Sequence, residues 1–98
     1  MKCAKCSKDF PENELELSHD IPKYMGGVDI DGRHYLCHDC HEDYDNLIIK
    51  RCLEFVGEEF VEEERIQWMI ELKQQSALLK SKFMWIAFEV KEEFYGRH

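Results

Sequence analysis

Two Cys-x-x-Cys pairs, Cys3/Cys6 and Cys37/Cys40, constrain this 98-residue chain more than any other feature. Four soft sulfur donors held in two hooks supply a tetrahedral site, and in a reducing compartment such a set selects zinc or iron over disulfide pairing. Ser7 and His41 follow the second cysteine of each pair, where an iron knuckle favours glycine, so zinc is the expected ion. A closed four-thiolate site is structural, not catalytic. The 30 residues between the pairs exceed the roughly 15–20 of a simple knuckle site, so a further unit is inserted there. Neither pair opens a helix inside a strand-helix-strand pattern, which argues against a thioredoxin-like redox site. Cys52, on an apolar helical face, reads as a core residue.

Residues 1–50 hold the turn-forming and metal-type residues, and the rest has long apolar periodicity broken by Gly57 and Gly96. The alternating segments 15–17 and 33–37 predict two short strands. Between them "PKYMGGVDIDG" predicts an irregular loop, with Gly26 and Gly27 supplying positive φ. From about His41 a helix is expected, with Leu47, Ile48, Cys52, Phe55 and Val56 on one buried face and Gly57 as its stop. A second helical stretch, 58–95, carries Leu72, Leu79, Phe83, Ile86, Val90 and Phe94 at three-and-four spacing. As one rod its 38 residues would reach about 57 Å. Either the chain folds back near Gln75, or a second copy covers the rod as a homodimer.

The fold class that follows is α+β: a zinc-stapled ββα unit over 1–57 with a helical extension over 58–98, in a single domain. The amino-terminal residues have no apolar signal region and the longest apolar run, 83–88, is too short to span a bilayer. A cytoplasmic protein with no membrane partner is expected. The net charge of −8 repels phosphate at long range, and neither half of the chain is basic.

The ordered set Cys-x-x-Cys, His19-x-x-Pro22, Gly26-Gly27 and Leu36-Cys37-x-x-Cys40-His41 resembles the zinc-bearing branch of the HNH endonucleases. The likeness covers roughly Cys3 to Asp45. It implies a ββα unit that hydrolyses nucleic-acid phosphodiesters, DNA or RNA, with one divalent metal such as magnesium or manganese. It also implies His19 as general base, and His41 with Asp45, one helical turn on, as ligands of that ion. Ser18 occupies the position of a further metal ligand, normally aspartate or histidine, and Gly32 that of the family's asparagine. Asp20, Asp29 and Asp31 are candidates to substitute.

Other readings stand beside these. A non-catalytic zinc-binding module, engaging a protein partner or a second copy, accounts for the acidic charge, Ser18 and Gly32. His19 can simply brace its loop, and His41 and Asp45 can belong to an acidic helix start. His34 and His38 are expected to face solvent. Trp68, Phe83, Trp85 and Phe88, at helical spacing without a basic frame, read as core or interface. The acid run from Glu58 to Glu64 reads as a solvated face.

Overall fold

A computed structural model describes residues 1–96. It contains a two-stranded antiparallel hairpin, β1 (Glu16–His19) and β2 (Arg33–Leu36), followed by α1 (His38–Phe55), α2 (Arg65–Lys73) and α3 (Ala77–Tyr95). Single 3₁₀ turns occupy Glu12–Glu14, Lys23–Met25, Asp29–Asp31 and Glu62–Glu64. The fold class is α+β, as expected, and no described helix is long and apolar enough to cross a membrane.

The hairpin pairs Glu16 with Leu36, Leu17 with Tyr35, Ser18 with His34 and His19 with Arg33. Because side chains alternate along a pleated strand, Glu16, Ser18, His34 and Leu36 share one face. Ser18 and Leu36 on that face are buried, whereas Leu17 and Tyr35 on the other are exposed. The inter-strand loop is pinned from within: Ile21 and Met25 are buried, and the Pro22 carbonyl accepts from the N–H groups of both Met25 and Gly27.

The two loop glycines differ in their reasons. Gly26 has φ of +93°, as expected, but Gly27 lies outside the left-handed region: a Cβ there would stand 1.8 Å from the Ile21 carbonyl oxygen. Close backbone approach, not positive φ, selects glycine at 27. Gly32 combines both constraints, with φ of +112° and a virtual Cβ 2.4 Å from the Asp20 carboxylate.

Helix α1 begins three residues earlier than its periodicity suggested, because Cys37 serves as N-cap and places the second cysteine hook in the first turn. Tyr44, Ile48 and Cys52, four residues apart, make its fully buried stripe. Phe55 and Val56, expected on that stripe, are exposed. The helix stops at Gly57, whose φ of +79° lets the Glu58 N–H return to the Leu53 carbonyl and its own N–H to that of Glu54.

The 58–95 stretch is not a rod. It breaks at residues 74–76, where the Ser76 hydroxyl caps α3 by accepting from the Leu79 N–H at 3.3 Å. The chain therefore folds back and α3 packs against α1. Leu72, Phe83 and Val90 are buried in the one core, with Leu79, Ile86 and Phe94 packed against it. That apolar period serves the chain's own interior. Trp68 and Phe83 also join the core, their ring centroids 5.8 Å apart. Trp85 does not, being 73% exposed.

Gly27→Ala and Gly32→Ala should each destabilise the chain by about 2–4 kcal/mol through overpacking and, at 32, backbone strain. Gly26→Ala, with open space around it, should cost about 1–2 kcal/mol from conformation alone. Urea unfolding of the three variants measures the ranking.

Candidate metal centre and the histidine pairs

The first cysteine hook is a tight backbone turn. The Cys3 N–H donates to the Lys8 carbonyl and the Ser7 N–H to that of Cys3, both at 3.0 Å, with Ser7 at φ of +63°. The Ala4 N–H donates to the Tyr35 carbonyl at 3.0 Å, docking the hook on β2. Lys5 reaches across to the Phe94 carbonyl and lies over the Phe94 ring, tying the hook to the end of α3. The second hook is the start of α1, with Cys37 as N-cap and Cys40 in the first turn.

The two hooks bring the Cys3, Cys6, Cys37 and Cys40 sulfurs within 4.8 Å of one another. Tetrahedral ligation at 2.3 Å requires sulfurs about 3.8 Å apart, so this set can hold a metal ion such as zinc. All four are free thiols. Their acidities show why a cation fits. Burial alone would raise the Cys3 thiol, but backbone hydrogen bonds at Cys37, Cys6 and Lys5 outweigh it and bring it down to about 6. Cys40 is pushed far up, by burial and then by the sulfurs of Cys37 and Cys3. One thiolate is welcome among these sulfurs, and further ones need positive charge between them. Cys52 lies elsewhere in the core, its thiol pushed up to about 12 by burial. Among the described residues, these four cysteines are the one group of three or more ligating side chains close enough to share an ion.

The remaining site residues fall into three separate arrangements. On the inner hairpin face, Glu16 bridges two histidines of α1, with His41 Nδ1 at 2.7 Å and His38 Nδ1 at 3.0 Å from its two oxygens. His41 Nε2 stands 3.6 Å from the Asp45 carboxylate, one turn along. Burial raises the Asp45 pKa above the usual carboxylate value, and the charges of His41 and Arg65 only partly offset it. The hydrogen bond from His41 lowers that of Glu16, and the bond to Glu16 raises that of His38.

His19 lies on the other face, where its Nε2 is 2.7 Å from Asp29 Oδ1 and Arg33 approaches the same carboxylate at 3.7 Å. The bond from His19 lowers the Asp29 pKa. Asp29 is thus the partner His19 acquires among the three candidate aspartates, while Asp31 accepts from the Val28 N–H.

Asp20 is fully buried and takes a structural place. One oxygen lies 2.6 Å from His34 Nδ1 and the other 3.1 Å from Lys91 Nζ. His34 also stacks on Tyr95, centroids 4.1 Å apart. It is therefore a packed, paired residue, contrary to the solvent-facing expectation, whereas His38 is largely exposed as expected. The Asp20 carboxylate fills the space a side chain at position 32 would need, which explains glycine where the resemblance places asparagine. Ser18 lies beside the Tyr95 hydroxyl. Both hydroxyls are buried without a close hydrogen-bond partner.

His41 and Asp45 thus come together, while Ser18 and His19 point to opposite sides of β1. Glu16 and the Asp20–Lys91 pair were missed by sequence reasoning. Glu16 had a signal, since it sits two residues before Ser18 on one strand face. Lys91 and Tyr95 had none, because they arrive from α3. Comparison with family models, curated proteins and solved structures finds no match to this chain.

Zinc held by these four sulfurs would make the fold metal-dependent: a strong chelator, or Cys37→Ser, should then lower the melting temperature sharply, since structural zinc supplies about 10–16 kcal/mol of apparent binding energy in small domains. A thermal melt with and without added zinc measures this. The bridge from Glu16 to His41 and His38 contributes stability above the ordinary glutamate value of 4.5, lost as pH falls through the lowered Glu16 value. It also contributes below the ordinary histidine value of 6.5, lost as pH rises through the raised His38 value. Melting temperatures of wild type and Glu16→Gln across pH 3–9 should therefore differ most between those limits and converge outside them.

Proposed function

We propose that this chain is a zinc-stapled protein of the HNH type that hydrolyses nucleic-acid phosphodiesters. In this reading zinc occupies the four-cysteine site, His19 is the general base, and His41 with Asp45 holds one divalent ion such as magnesium or manganese. The observation that carries it is shared by both motif histidines: each has one ring nitrogen held by a carboxylate, His19 Nε2 by Asp29 and His41 Nδ1 by Glu16. A carboxylate that accepts from one imidazole nitrogen sets the tautomer and leaves the other with a lone pair.

For His19 the free lone pair is on Nδ1, which can take a proton from water as the water oxygen bonds to phosphorus and the leaving P–O bond breaks. For His41 it is on Nε2, turned toward Asp45 at 3.6 Å. That spacing is long for a hydrogen bond and suits two ligands of one cation. The buried, raised carboxyl of Asp45 is a group that a cation would restore to its charged form. A divalent ion there supplies positive charge to the phosphate and the departing oxygen. Glu16 is then the residue that orients the ligand.

Ser18 favours a second reading, a non-catalytic zinc module that binds a protein partner. Its hydroxyl is buried beside Tyr95, His19 lies on the hairpin face opposite to Glu16 and its partner His41, and the net charge of −8 repels polynucleotides.

Purified protein incubated with supercoiled plasmid and manganese should nick it, and His19→Ala should not. Equal nicking by both proteins, or none from either, removes the catalytic reading. Metal analysis then separates the two: uptake of a second divalent ion, lost in Asp45→Asn, belongs to the nuclease, and one zinc per chain without further uptake belongs to the module.

A further inference from the structure

Helix α3 buries Phe83, Ala87 and Val90 and turns a second apolar stripe outward. Leu78 and Trp85 are each 73% exposed and Phe88 is 37% exposed, with the Trp85 and Phe88 rings 6.2 Å apart in one patch. Spaced through them on the exposed side are Ser81 and Glu92, so the outward face reads Leu78, Ser81, Trp85, Phe88, Glu92, at alternating steps of three and four. That is the heptad seam of a helix pair, and it is distinct from the inward period that serves the core.

The charges beside the seam decide what covers it. Lys82 flanks it in the first half of α3 and Glu89 flanks it on the same side in the second half, both exposed. A parallel copy would set that flank against the other flank of the second copy, where Ala77 and Met84 carry no charge, and leave Lys82 and Glu89 without partners across the seam. An antiparallel copy related by a two-fold axis between Trp85 and Phe88 sets each Lys82 against Glu89 of the second copy, twice over. The same axis places each Trp85 on Phe88 of the second copy and Ser81 opposite Glu92 of the second copy. Charge and apolar pattern therefore select the same arrangement.

We propose that the outward face of α3 is an antiparallel homodimer interface, with Trp85 and Phe88 as its apolar centre and reciprocal Lys82–Glu89 pairs fixing its direction. Two copies of this stripe remove on the order of 1,000 Å² from water, the lower edge of a specific interface. The dimer is accordingly concentration-dependent, with a Kd in about the micromolar range. It does not depend on whether His19 acts as a base, because the test reads molecular mass and not cleavage.

Sedimentation equilibrium of the full chain tests it. The mass should rise from 11.8 kDa toward twice that value as concentration increases to about 0.1 mM. Trp85→Glu should remain monomeric with an unchanged circular dichroism spectrum, since the side chain is exposed. Lys82→Glu and Glu89→Lys, each of which turns two attractive pairs into repulsive ones, should weaken the dimer about tenfold. An equimolar mixture of the two should restore it, because the heterodimer recovers both pairs. A chain that stays monomeric to millimolar concentration overturns the proposal. So does a dimer that tolerates Trp85→Glu, or one whose charge variants are not rescued by mixing.

Discussion

The four-sulfur cluster is the contact on which the rest of this structure depends. It joins the chain's beginning to the first turn of α1, and the hairpin lies between those two points, so one cluster sets where β1 and β2 sit relative to the helix. A two-stranded hairpin is marginal in water on its own. Here it is clamped at both ends of its sequence and covered on its inner face by α1 and α3. The Ala4 bond to β2 and the Lys5 contact with Phe94 make the first hook a junction of hairpin and last helix, not a bare ligand loop.

Around that clamp, every histidine of the described residues meets a carboxylate: His19 with Asp29, His34 with Asp20, and His38 and His41 with Glu16. The acidic excess of the first half is therefore spent partly on orienting imidazoles. The pairs differ in depth, and depth decides their role. Asp20, buried between His34 and Lys91, is a structural joint whose loss would leave charge unpaired in the interior. Asp29 and Glu16 lie nearer the surface, where each holds one ring nitrogen of its histidines.

The last helix divides its labour by face. Its inner face completes the core around Tyr44, and the Tyr44 hydroxyl in turn donates to the Asp20 carbonyl at 2.7 Å. Its carboxyl end closes over the inner hairpin face through Lys91 and Tyr95. The serine at the expected ligand position and the glycine at the expected asparagine position both find their physical reason there: a neighbouring tyrosine at one and an occupying carboxylate at the other.

Much of this was legible along the chain because it rests on short-range bonds. The two cysteine spacings, the hairpin with its irregular loop, the helix stop at Gly57 and the polar interruption at residues 74–76 each follow from groups within a few residues of one another, although whether the chain folds back there was left to the tertiary structure. The same local reasoning placed His41 and Asp45 on one helix face. What only the tertiary structure decided is which distant groups meet. Glu16 and His41 are 25 residues apart and Lys91 lies 60 from Asp31, and no periodicity encodes such pairs. They exist because packing of α3 on α1, and of both on the hairpin, carries those backbones together. The sequence likewise marked Phe83, Trp85 and Phe88 together as core or interface, but only the folded core could show that Phe83 and Val90 turn inward while Trp85 is left facing water.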